Sequence, residues 1–189
     1  MPKMVPGTYS IYDYGRFISD FSALDKNGDT LAVEAITANR ILIKGATKLA
    51  SISYWVDDTF DSELANFVFE PGGTNIEEGK NFVINTFGFA GYLQGMKDYP
   101  FEMRVEYPKE MFGASALLKK SVNDSVDIYT ASNYFNLTDG PIMYATPDTT
   151  TFAVGGAEIL IAVFSPNKVL DPAFVREQVE PTLQAQKEY

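Results

Sequence analysis

Short apolar stretches of alternating polarity, parted by turn residues, run the length of the chain. Residues 49–56 show the pattern best: Ile52, Tyr54 and Val56 fall on one face of an extended segment, and Ser51, Ser53 and Trp55 on the other. Residues 17–24 read as a strand with Phe17, Phe21 and Ala23 on one face. Residues 31–37, 40–44, 81–87 and 101–107 are further strands, and Leu117 and Leu118 end another short one. The clearest hairpin joins 149–154 to 157–164 through Gly155 and Gly156. Asn27 and Gly28 predict a type I′ turn between the first two strands. Residues 64–70 form a short strand or loop closed by Pro71, Gly72 and Gly73. Residues 75–80 are polar and exposed, and 88–96 form a glycine-punctuated, packed crossing loop.

Two segments depart from the two-residue period. Residues 123–135 predict a helix capped by Asn123 or Asp124, with Val126, Ile128, Tyr129, Tyr134 and Phe135 as its apolar face. Asp171 followed by Pro172 reads as an N-cap with proline at the first helical position, opening a helix to residue 189 that Pro181 interrupts. The sum is a mainly β chain: an antiparallel β-sandwich or saddle with one internal helix and a C-terminal helix. Residues 1–168 make the β domain and 169–189 a helical connector.

Composition narrows the chemistry. The 189 residues are enough for one domain with a real core, and 46% hydrophobic against 21% charged residues is ordinary for a globular protein. Fourteen Phe and eleven Tyr favour β structure. A net charge of −10 without any basic cluster argues against nucleic acid as a partner. No apolar run is long enough for a helical membrane span, and the first residues lack the apolar core of a signal peptide.

There is no cysteine and no histidine. Thiolate zinc sites, histidine-ligated zinc, cysteine nucleophiles and Ser-His-Asp triads are therefore impossible within these residues. The run from Asp25 to Asp29 begins like a calcium loop, but Thr30 and Ile36 stand where that loop needs glycine and a bidentate glutamate. Asp57, Asp58 and Asp61 read as a solvated acidic turn. The chain itself is expected to be non-catalytic, with no cofactor of its own.

One stretch carries a resemblance. Pro6, Gly7, Tyr9, Ile11, Asp13, Tyr14 and Arg16 match the pattern Trp-x-Pro-Gly-Ser-Tyr-x-Ile-Arg-Asp-Tyr/Phe-x-Arg-His near the start of the N-terminal domain of glycyl aminopeptidases, a family of zinc metallopeptidases. Met4, Tyr12 and Phe17 stand at that pattern's tryptophan, first arginine and histidine. Ser53 to Val56 and the passage through Pro108 to Leu118 follow in the family's order. Leu137, Asp139, Pro141 and Ile142 then match a helix ending in Leu-x-Asp-Ser/Cys-Pro-Ile.

The resemblance implies an accessory β domain without the family's first strands, cut from a parent whose thermolysin-like catalytic domain holds zinc on a His-Glu-x-x-His helix and is followed by a PDZ domain. It implies the parent's own catalytic domain and its peptide substrate as partners, and is compatible with an exported or periplasmic parent. Asp139 is the first candidate for facing a substrate, where a carboxylate would attract a free ammonium. Tyr9, Tyr12 and Arg16 are second candidates. A sheet edge left without its first strands would form edge-to-edge dimers. The alternative is a stand-alone peptide- or carbohydrate-binding β-sandwich or scaffold, which would expose several coplanar aromatics on one surface.

Overall fold

The computed structural model describes residues 1–4, 7, 10–65 and 67–188. Pro6 and Tyr9 of the N-terminal motif lie outside them. Among the described residues, thirteen strands make five antiparallel sheets, accompanied by three α-helices. A 3-10 turn, Tyr14–Phe17, leads into β1 (Ile18–Asp25). Then come β2 (Val33–Thr37), β3 (Arg40–Ile43) and β4 (Leu49–Val56), where β1 pairs with β4 and β2 with β3.

β5 (Asn75–Glu77) and β6 (Asn81–Ile84) precede a four-residue helix, α1 (Thr86–Phe89). β7 (Phe101–Glu106), β8 (Phe112–Ser115), β9 (Leu118–Asn123) and β10 (Val126–Ala131) follow. The short helix α2 (Tyr134–Thr138) runs into β11 (Ile142–Ala145). β12 (Thr149–Val154) and β13 (Ala157–Ala162) form a hairpin against α3 (Pro172–Glu188). The larger sheets have the orders β7-β10-β9 and β5-β6-β11-β8.

Two apolar clusters form the core. One joins Ile84, Met111, Tyr129, Ile142 and Tyr144; the other joins Tyr12, Tyr14, Phe17 and Val68. α1 links them, because Phe87 packs on the second cluster and Phe89 on the first.

Three expectations are corrected. Residues 123–135 are not one helix. Asn123 accepts a hydrogen bond from the Ser125 amide at a tight turn, β10 follows, and helix begins only at Tyr134. Val126, Ile128 and Tyr129, read as one helical face, lie on a strand that is buried on both sides. The expected strand 81–87 stops at Ile84, where α1 takes over. The turn at Asn27-Gly28 is not type I′, since only Gly28 has a positive φ (88°). The Asp25 carboxylate accepts the amides of Asn27 and Asp29 there, so it braces the turn. Gly155 and Gly156 (φ 54° and 85°) do meet the type I′ requirement of positive φ at both positions.

Candidate functional site

α2 is a helix of one turn that is fastened at every point. Asn133 caps it by accepting the Asn136 amide at 2.8 Å. The buried Tyr134 hydroxyl donates to the Ala90 carbonyl at 2.6 Å, and burial pushes this phenol well above its ordinary value. Thr138 returns its hydroxyl to the Tyr134 carbonyl, and Thr86 donates to that of Leu137. The motif then splits by role. Leu137 and Ile142 are buried core residues, whereas Asp139 and Pro141 face outward. Gly140 sits against Leu117, whose Cγ lies 2.4 Å from where a Cβ would stand, so no larger residue fits without moving that side chain.

Asp139 closes α2 through its own amide, which donates to the Phe135 carbonyl at 3.0 Å. Its carboxylate is exposed and engages none of the described residues. This differs from a turn braced by the aspartate side chain, as at Asp25. Beside it lies a cleft of about 510 Å³ lined by Thr138, Tyr134, Phe135, Asn133, Tyr92 and Lys97, among others. Tyr92 and Tyr134 stand 4.8 Å apart between ring centroids, and the Lys97 ammonium lies 4.2 Å from the Tyr92 ring. Sequence reasoning had missed this aromatic pair, because residues 91–97 carry no periodic signal that marks them as a surface.

The N-terminal motif builds a clamp instead of an open wall. Asp13 holds a left-handed conformation (φ 51°) and accepts from the Asn39 side-chain amide. The Asn39 side-chain oxygen in turn accepts the Gly15 amide at 2.9 Å. Tyr14, fully buried, donates to the Gly72 carbonyl at 2.6 Å, and its phenol is pushed up by burial and by Tyr12 beside it. Tyr12 is only 4% exposed, packed edge-on to Tyr14, so it presents no surface to a ligand. Arg16 donates to the carbonyls of Tyr12 and Ala65. Tyr12, a second candidate for facing a substrate, is thus turned into the core. Tyr9 lies outside the described residues.

A buried polar cluster also escaped the sequence reading. Asp127, with no exposed surface, accepts from Ser121 at 2.6 Å and from Tyr144 at 3.1 Å. The hydroxyls of Tyr129 and Tyr144 meet at 3.0 Å, and the Lys119 ammonium stands 3.8 Å from the carboxylate. Burial raises the phenols of Tyr129 and Tyr144, and Asp127 beside them adds to it. Gly113 admits the cluster: a Cβ there would stand 2.5 Å from the Tyr129 hydroxyl. The cleft beside α2 does not reach it, and its bonds join β9, β10 and β11.

A stand-alone binding module would present its aromatics together. Here Tyr12, Tyr14, Tyr129, Tyr134 and Tyr144 are buried, whereas Trp55 on β4 is exposed, as are Phe60, Phe67 and Phe69 in the loop after it, Tyr99, Phe135 on α2 and Phe174 on α3.

Fold and site together define an antiparallel β domain that offers a carboxylate-bearing turn beside an aromatic cleft. The chain belongs to the family of the Peptidase M61 N-terminal domain, whose model matches residues 1–146. It is accordingly an N-terminal, accessory domain of the peptidase type. The crystal structure of an aminopeptidase N family protein from Idiomarina loihiensis is similar, with a TM-score of 0.84 at 20% identity over 98% of this chain. The chain spans 30% of the length of that protein. No curated protein matches it.

Proposed function

We propose that the chain is the non-catalytic accessory domain of a zinc-dependent aminopeptidase, packing on the catalytic domain and shaping its substrate cleft. The family match over residues 1–146 carries this reading. The zinc belongs outside the chain. There is no His or Cys, and no group of three Asp or Glu among the described residues stands close enough to hold a metal ion. A PDZ domain beyond the catalytic part belongs to the same reading.

Asp139 is the residue assigned to substrate. A carboxylate that engages none of the described residues, one position beyond Thr138 in the lining of the cleft, can meet the ammonium of a peptide's first residue. Desolvation on closing the cleft would strengthen that attraction. Tyr12, Asp13 and Arg16 act on the site only by fixing the N-terminal clamp.

The test has two arms. Reading the coding region onward from Tyr189 should reveal an in-frame His-Glu-x-x-His helix. In the peptidase so identified, Asp139→Asn should raise KM for peptides with a free amine about tenfold and leave kcat within about twofold. Hydrolysis of N-blocked peptides should not respond. Peptide hydrolysis by residues 1–189 alone, persisting with a chelator, would overturn the proposal.

A further inference from the structure

β4 is an eight-residue strand with one neighbour. It pairs with β1, and its second edge carries no strand among the described residues. Exposed edges of this length are normally guarded by charge, proline or a bulge. The other edges are guarded: β7 carries Glu102, Arg104 and Glu106, β9 carries Lys119 and Lys120, and β13 carries Glu158. β12 is uncharged, but α3 packs on it and Arg176 reaches the Thr151 carbonyl. β5 and β8 are only three and four residues long. β4 reads Leu-Ala-Ser-Ile-Ser-Tyr-Trp-Val, with no charge and no proline. One register irregularity lies on β1 between Ser19 and Ser22, and the other, at Ala50, confines the bulge on β4 to its start and leaves 51–56 regular.

The free edge also has a definite polarity. The Ala23 carbonyl turns away from β4, accepting the Leu31 amide at 2.8 Å. Ala23 lies opposite Ile52, so this is a pair that exchanges no ladder bonds, and the Ile52 amide and carbonyl point to the free edge. By alternation Tyr54 and Val56 point the same way.

We propose that β4 is a self-pairing edge and that two copies of this chain join there, antiparallel, about a two-fold axis through Ser53. In that register Ile52 exchanges both ladder bonds with Tyr54 of the second copy, and Tyr54 with its Ile52. These are the outward-pointing residues at the centre of the regular part of the edge, 51–55, so each finds a partner. The facing side chains agree. Ser53 meets Ser53, and Trp55, 70% exposed here, lies across from Ser51. On the opposite face Ile52 and Tyr54 extend the apolar surface that they share with Ile18 and Phe21 along a groove of about 700 Å³. The net charge of −10 opposes association in general, whereas this edge places no like charges together. A second copy is thus the occupant that the edge itself complements. The result is a continuous four-stranded sheet, β1-β4-β4-β1.

Cysteine scanning tests the register, since the chain has no cysteine of its own. Ser53→Cys should cross-link into a covalent dimer on mild oxidation, because directly opposed residues of a pair without ladder bonds meet disulfide geometry. Ser51→Cys, which faces Trp55, should stay uncross-linked. Ser53→Lys puts two ammonium groups face to face and should weaken the dimer at least about tenfold. Ser53 is exposed, so folding should be unchanged by circular dichroism. Mixing Ser53→Lys with Ser53→Glu should restore a dimer holding one of each. Sedimentation that gives a monomer from micromolar to millimolar concentration would overturn the proposal. So would a dimer indifferent to Ser53→Lys, or one whose free edge takes up an added β-strand peptide in preference to its own copy.

Discussion

Asp127 shows how one buried carboxylate organises its surroundings. It receives hydroxyl donors from Ser121 on β9 and Tyr144 on β11, with the Lys119 ammonium near, so it ties two sheets together. Removing the acceptor is worse than removing one donor. Asp127→Ala leaves the two buried hydroxyls of Tyr129 and Tyr144 facing each other and the Lys119 ammonium without its carboxylate, and should cost about 3 kcal/mol. Tyr144→Phe removes a single donor and leaves Asp127 its bond from Ser121, so it should cost about 1 kcal/mol plus a small packing change. Urea denaturation of the two variants checks the order. Equal losses, or a larger loss for Tyr144→Phe, would show that Asp127 is not the hub.

At the scale of elements, legibility followed the length of the pattern. The alternation of 49–56 gave β4 with its bounds, and Gly155-Gly156 gave the β12–β13 hairpin. Helix α3 announced itself through Asp171 and Pro172, and the Asp171 carboxylate accepts the Ala173 amide at 2.7 Å. Between 118 and 145 the reading failed. Four short elements follow within a few residues of each other there, and Tyr129, Tyr134 and Phe135 mimic a helical face across a strand and a separate helix. The match to Leu137, Asp139, Pro141 and Ile142 fixed the place of the candidate turn. Nothing local could show that Tyr92 and Lys97 would close a cleft next to it, because that contact depends on the tertiary fold.

α3 offers the element-scale prediction. Pro181 sits at an exposed position inside this seventeen-residue helix, where proline lacks an amide and crowds the preceding turn. Pro181→Ala should therefore stabilise α3 by about 2 kcal/mol. The packing of α3 on β12 and β13 couples the gain to the domain, so both helical ellipticity and Tm should rise. A rise in ellipticity with unchanged Tm would mean that α3 folds independently of the sheet.

The whole molecule is held by tyrosine as much as by aliphatic side chains, and this makes its alkaline behaviour specific. Tyr14 belongs to one apolar cluster and Tyr129 and Tyr144 to the other, with Tyr134 packed on α2. All four phenols are held above the ordinary value of 10.0, by burial first. A raised value in the folded state means that the stabilisation is fully present below pH 10 and is lost as pH climbs above it, because only the unfolded chain can ionise these groups. Each tyrosine removes about 1.4 kcal/mol per pH unit, so four together remove about 5.6 kcal/mol per unit. Against a domain stability of about 5–15 kcal/mol, unfolding should set in between about pH 11 and 13. Since α1 places Phe87 in one cluster and Phe89 in the other, the clusters should open together. Phenolate absorbance from the buried tyrosines and circular dichroism, followed against pH, should show one coincident transition. Tyr14→Phe should move that transition to higher pH. Two separate steps would divide the chain into independent halves and remove α1 as the link between them.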